Sequence, residues 1–100
     1  MTTTKTSEKY IERYLVRTVT AMGGICLKYS NMNMTGYPDR ICLLPGGHTL
    51  WVELKSKGCH PSKLQSIRFE QMAAIGHPVY VCDSTEAVDF VLSTITSKEL

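Results

Sequence analysis

"GYPDRICLLPGGHTLWVELKSKG" fills residues 36–58, and the way it folds decides the class of the whole chain. RICLL at 40–44 is a short apolar run, and TLWVELK at 49–55 is a second. PGGH at 45–48 lies between them, with proline and glycine supplying turn conformations. The pattern predicts a β-hairpin over 39–55 with a four-residue turn. Three charges sit oddly in it. Asp39 follows Pro38 at the mouth of the first run. Glu53 and Lys55 interrupt the second, where a small domain is expected to bury hydrocarbon.

Strand side chains alternate faces, so Leu50, Val52 and Leu54 go one way and Trp51, Glu53 and Lys55 the other. Glu53 and Lys55 are then about 6.5–7 Å apart at Cα. A turn centred near Gly46-Gly47 brings residue 39 opposite residue 53 or nearly so, a register that a one-residue slip would undo. Two carboxylates so placed repel, and each raises the other's pKa unless a cation sits between them. Mg²⁺ is a hard ion that takes one or two carboxylates together with substrate phosphate oxygens. Two acids, a lysine and a metal suit phosphodiester cleavage. Taken singly, each element is ordinary: Asp39 could be a turn acid, and Glu53 with Lys55 a solvated edge-strand face. Their separation by one hairpin, with a glutamine-bearing helix start directly after, points instead to a site.

Outward from the hairpin, the pattern is helical from Ser7. Ile11, Tyr14, Leu15, Thr18, Val19 and Met22 form one stripe, closed by Gly23-Gly24. ICLKY at 25–29 alternates like a strand, and SNMNMTGYP at 30–38 is a loop. Ser62 with Gln65 makes a capping box opening a helix, whose apolar positions are Leu64, Ile67, Met72 and Ile75 and whose end is Gly76. PVYVC at 78–82 is a strand. Asp83 with Glu86 caps a last helix carrying Ala87, Val88, Val91, Leu92 and Ile95. The order is α-β-β-β-α-β-α: an α/β fold with a mixed sheet flanked by helices.

The 100 residues make one domain, with residues 1–6 and 97–100 expected to fray. Hydrophobic residues at 43% and charged residues at 20% are ordinary for a globular chain, which argues against extended disorder. The net charge of +2 permits an anionic partner without requiring one. Cys26, Cys42, Cys59 and Cys82 form no CxxC pair, so neither a zinc site nor a disulfide framework is expected. MTTTKTSEKY has no apolar core of a signal peptide, and no run reaches membrane-spanning length. A soluble protein of a reducing cytoplasm is expected, either bacterial or in a phage-infected host.

GYPDR at 36–40, WVELKSKG at 51–58 and PSKLQ at 61–65 together resemble the PD-(D/E)xK nuclease superfamily. Within it they resemble the VRR-NUC (viral replication and repair nuclease) domain, with its G-x-P-D element, E-x-K strand and S-x-x-Q helix start. The resemblance spans roughly residues 7–82. It implies a restriction-endonuclease-like core and a Mg²⁺- or Mn²⁺-dependent endodeoxyribonuclease. Asp39, Glu53 and the backbone carbonyl of Leu54 would bind the metal, Lys55 would be the catalytic lysine, and Gln65 would orient Lys55, water or DNA. The family also carries a glutamate on its first helix. Glu8 and Glu12 are both candidates, and Glu8 is preferred because it shares the stripe of Ile11 and Leu15. Stand-alone members look like homodimers that cut branched DNA such as four-way junctions, and a phage origin would fit. No nucleotide cofactor is implied.

For DNA contacts the candidates are Lys57, Lys63 and Arg68 near the site, and Lys9, Arg13 and Arg17 at helical spacing beyond Lys5. Asn31, Asn33 and Tyr37 could touch DNA, and Met32 and Met34 could wedge at a junction or pack in a dimer. Against the nuclease stand two alternatives: an inactive nuclease fold that binds DNA or serves assembly, and an unrelated α/β interaction protein. Metal-dependent cleavage separates them.

Overall fold

The computed structural model describes residues 6–97. Most of the expected fraying falls on 1–5 and 98–100, outside the described residues. The elements run α1 (Glu8–Ala21), β1 (Ile25–Lys28), β2 (Arg40–Leu44), β3 (His48–Leu54), α2 (Lys63–Ala74), β4 (Val79–Cys82) and α3 (Thr85–Ser97). The α-β-β-β-α-β-α order is as expected. The strands form one sheet in the order β1-β2-β3-β4. The first three are antiparallel and β4 is parallel to β3, so α2 is the crossover.

Ser7 caps α1, its Oγ accepting from the Tyr10 amide at 3.2 Å. Ile11, Leu15 and Val19, spaced by one turn, are its buried face. They pack on the sheet face that carries Cys42, Leu44, Leu50, Val52, Leu54 and Cys82. Val88, Val91 and Leu92 of α3 close the same layer. The chain reverses after α1 at Gly24, where a side chain would meet the Leu43 carbonyl oxygen at 2.6 Å.

Three differences from the sequence expectation bear on the site. The hairpin turn has three residues, 45–47, because His48 already pairs with Leu44 in β3. Ser84, not Asp83, caps α3, with its Oγ accepting from the Ala87 amide. Asp83 instead accepts from the Gly58 amide at 3.2 Å, tying down the loop after β3. The third difference is α2. It has no buried residue, and Leu64, Ile67 and Ile75 are all exposed. Gln65 and Arg68 grip polar partners, Leu64 lies against Gly36, and Phe69 and Met72 are half-buried.

The sheet is covered unequally as a result. On the face away from α1 and α3, Ile25 is paired with Leu43 and Leu27 with Ile41. Ile25, Leu27 and Leu43 remain exposed there.

Candidate active site

The register pairs Arg40 with Val52, so one step further Asp39 stands opposite Glu53. Glu53 is the sole buried charged residue among those described, at 1% exposure. A buried carboxylate must have donors, and three converge on it. The Asp39 amide donates to Oε1 at 3.1 Å. The Gln65 Nε2 donates to Oε2 at 2.8 Å. The Lys55 ammonium pairs with Oε2 at 3.2 Å. Among the described residues, every buried side-chain oxygen and nitrogen has a partner.

Each donor is placed by a local rule. Lys55 follows Glu53 by two along the β3 direction, and its own amide continues the ladder to the Cys82 carbonyl at 3.0 Å. Gln65 is the third residue of α2. Its amide donates to the Ser62 Oγ at 3.1 Å, and its side-chain oxygen accepts from the Ser62 amide at 3.0 Å. The capping box thus fixes the glutamine amide group and leaves its NH₂ pointing to Glu53.

Asp39 is delivered by the loop 35–38. Gly36 has φ +92°, and a Cβ there would lie 2.9 Å from Leu64 Cγ and 3.1 Å from Arg68 Cγ. Only glycine fits both the conformation and the space. Arg68 donates from Nε to the Thr35 carbonyl at 3.2 Å and lies over the Tyr37 ring, 5.2 Å from its centroid. Arg68 therefore clamps this loop.

Burial raises the pKa of both site carboxyls. For Asp39 the Glu12 charge adds to burial, while Lys55, a Leu54 backbone hydrogen bond and Lys28 work the other way. For Glu53 the Asp39 charge adds to burial, while Lys55 and Gln65 oppose it. Asp39 disfavours the charge on Glu53, and two carboxyls so placed form an oxygen site suited to a hard cation. An ionised carboxylate offers about four acceptor positions. Three donors reach Glu53, which leaves it able to accept one more partner.

Of the helix acids, Glu12 rather than Glu8 faces the pair. Glu12 acts on the Asp39 charge and holds Arg40, Oε2 to Nε, at 3.1 Å. Glu8 is an exposed first-turn residue whose amide donates to the Ser56 Oγ at 3.3 Å. Reading the core stripe favoured Glu8 because it extends the line of Ile11 and Leu15. At residue 8, however, that line is exposed. Arg40, which selects Glu12, carried no sequence signal beyond its place after Asp39.

Lys9, Arg13 and Arg17 are exposed and line one groove of about 470 Å³ together with Glu12, Val16 and Arg40. Lys57 and Lys63 are also exposed. Lys5 lies outside the described residues. In the 30–37 loop, the Asn31 side chain accepts from the amides of Asn33 and Met34 and donates to the Tyr29 hydroxyl, so it organises the loop. Met32 is 96% exposed at its tip. Tyr29, which follows β1, was not singled out by sequence. Its amide donates to the Asp39 carbonyl at 2.7 Å, and its ring meets Trp51 edge-on at 5.3 Å.

No family model matches the chain. Over 79 residues it is 38% identical to the "Putative nuclease p44" of Acyrthosiphon pisum secondary endosymbiont phage 1, covering 79% of this chain and 85% of that protein. It also superposes on a solved structure described as a VRR_NUC domain, with a TM-score of 0.81 and 29% identity, over 86% of this chain and 94% of the other. Buried Glu53, its three donors, the fold and the relative agree: the chain belongs to the VRR-NUC family of nuclease domains.

Proposed function

We propose that this nuclease is a divalent-metal-dependent DNA endonuclease, with Asp39, Glu53, Lys55 and Gln65 as its site. The carrying observation is Glu53, a carboxylate at 1% exposure held by Asp39, Lys55 and Gln65. A protein that needed only stability would do as well with an apolar residue there. Asp39 and Glu53 would hold Mg²⁺ or Mn²⁺, with the Leu54 carbonyl as a further oxygen donor. Once bound, such an ion polarises the scissile phosphate and lowers the pKa of an attacking water. Lys55 brings a positive charge against the developing charge on phosphorus. Gln65 holds the Glu53 carboxylate in one orientation. Glu12 sets the local charge around Asp39 from α1. Lys9, Arg13, Arg17, Lys57 and Lys63 meet the phosphate backbone.

A branched substrate and a homodimer extend the same reading. Two strands of a junction need two sites related by a two-fold axis. The exposed Ile25, Leu27 and Leu43 on the uncovered sheet face support a second copy there. Cytoplasmic action, in a bacterium or phage-infected cell, accords with four free cysteines.

The test is cleavage of duplex, flap and four-way-junction DNA in Mg²⁺ or Mn²⁺, beside Asp39→Ala and Lys55→Ala, with a solution mass measurement. Cleavage that survives both substitutions defeats the site. Binding without cleavage by the wild type favours an inactive DNA-binding module instead.

A further inference from the structure

A second cavity, of about 260 Å³, opens beside the site and shares its residues: Asp39 and Gln65 line it together with Tyr29, Tyr37, Met34 and Thr35. Its chemistry is unlike that of the α1 groove. Neither lysine nor arginine lines it, and its walls are aromatic rings, a thioether, hydroxyls and backbone. A phosphate entering it would meet the Asp39 carboxyl with no lining lysine or arginine to offset it. A planar, uncharged group with polar edges suits it: rings for its faces, hydroxyls and the Gln65 amide for its rim. The volume falls just under the roughly 300–1,000 Å³ of drug-sized ligand sites, so it accommodates one ring system and little more.

The cavity is also held in shape. Tyr29 and Tyr37 meet edge-on with centroids 6.5 Å apart, and Trp51 stands behind Tyr29. Arg68 fixes Tyr37 and the Thr35 carbonyl, and Asn31 ties its own turn to the Tyr29 hydroxyl. Asp39 and Arg40 are adjacent in sequence, yet Asp39 borders this cavity without lining cations and Arg40 the basic groove. A nucleic-acid strand crossing Asp39 has a place for phosphates on one side and a place for a base on the other.

We infer that the Tyr29–Tyr37 cavity receives one unstacked nucleobase beside the phosphate presented to Asp39 and Glu53. The inference deepens the nuclease reading and rests on it for the substrate class. It gives structure selectivity a physical cause. A base inside an intact duplex must be unpaired and unstacked before it can enter, whereas one at a bulge or branch point is already free.

The test measures affinity in Ca²⁺ by fluorescence anisotropy, using the full chain. One duplex carries a single extrahelical nucleotide, and the other carries an extrahelical abasic residue at the same position. The base-bearing duplex is expected to bind roughly tenfold tighter, the size of one base–aromatic stack. Ser30→Trp and Thr35→Trp, which fill the cavity from exposed loop positions, are expected to abolish that difference while leaving the abasic affinity within about twofold. Equal affinity of the wild type for the two duplexes overturns the cavity assignment. So does a difference that persists in both tryptophan variants, or no measurable binding of either duplex. Cleavage of the same two duplexes in Mg²⁺ or Mn²⁺ separates the two readings. Cleavage without base discrimination removes the cavity and keeps the nuclease. Discrimination without cleavage keeps the cavity and removes the nuclease.

Discussion

The Gln65 side chain spans two elements, accepting from the Ser62 amide at 3.0 Å and donating to Glu53 Oε2 at 2.8 Å. The start of α2 and the end of β3 are thereby one unit. Gln65→Ala breaks the capping box and leaves Oε2 with Lys55 alone. A loss of about 1–2 kcal/mol is expected in urea denaturation, with cleavage impaired more than DNA affinity. Gln65→Glu keeps a capping side chain but sets a second carboxylate against a buried one. It is expected to lose more activity than Gln65→Ala at neutral pH, read as initial cleavage rates.

Asp39 and Glu53 make stability depend on pH with a definite sign. Both folded pKa values are raised, so the folded chain holds these protons more tightly than the unfolded chain. Their contribution is full below the ordinary carboxylate range, near about 4, and is lost as pH rises through the folded values. Asp39→Asn removes that loss. In metal-free buffer at pH 7 it is expected to gain on the order of 1 kcal/mol, a melting rise of about 4–8 °C. The gain should shrink as pH falls toward 4. Mg²⁺ or Mn²⁺ should reverse the order, stabilising the wild type by about 2.7 kcal/mol at a hundredfold excess over Kd and Asp39→Asn far less. A variant no more stable than wild type at pH 7 would contradict the raised Asp39 pKa.

Gly36 and Arg68 deliver Asp39 without touching the chemistry. Gly36→Ala forces a Cβ into Leu64 and Arg68 at a positive φ, and a cost of roughly 1–3 kcal/mol is expected. Arg68→Lys keeps the charge but loses the planar group over Tyr37. If Arg68 clamps the loop, Arg68→Lys lowers kcat and leaves the salt dependence of DNA binding unchanged. A shallower salt slope would show instead that Arg68 contacts phosphate.

What was legible in the sequence was what local pattern controls. The alternation of β3 put Glu53 and Lys55 on one face, but the four-residue turn read from the sequence would pair residue 39 with 54, and Asp39 comes opposite Glu53 because the turn has three residues centred on Gly46. The Ser62–Gln65 spacing foretold a cap whose second use, holding Glu53, is visible only once α2 lies on the sheet. The docking of α2 was only partly legible, because Met72 is half-buried as its spacing suggests, while Leu64, Ile67 and Ile75 stay exposed and Arg68 and Gln65 grip polar partners. Hydrophobic periodicity does not report the polar anchors of such a helix. Nor was Tyr29 legible, since it lies just past a four-residue strand and gains its importance from Asp39 and Trp51, distant in sequence.

Glu12 and Glu8 are separated by a direct comparison. Glu12 faces Asp39 and Arg40, while Glu8 is exposed at the first turn. Glu8→Ala is expected to keep cleavage within about twofold and stability within about 0.5 kcal/mol. Glu12→Ala leaves Arg40 without its carboxylate and removes a negative charge near Asp39. Cleavage should fall at least about tenfold, the change expected when one charge partner at a site is lost. Glu12→Gln, which keeps the shape, should recover stability and not activity. A larger loss for Glu8→Ala than for Glu12→Ala would return the role to Glu8.

The basic face of α1 is best tested by salt rather than by affinity at one condition. Lys9, Arg13 and Arg17 recur every four residues, are exposed and line one groove with Arg40, the neighbour of Asp39 in sequence. If they neutralise phosphates, each releases condensed counterions on binding, and log K falls with log salt by about 0.9 per contact. Arg13→Ala with Arg17→Ala should therefore make that slope shallower by nearly two. Affinity should drop alike for duplex, bulged and junction DNA, because phosphate contacts position the strand without reading its shape. Folding stability should stay within about 0.5 kcal/mol, since both side chains face solvent. An unchanged slope would mean that DNA enters from the Lys57 and Lys63 side instead. Lys57→Ala with Lys63→Ala would then carry the loss.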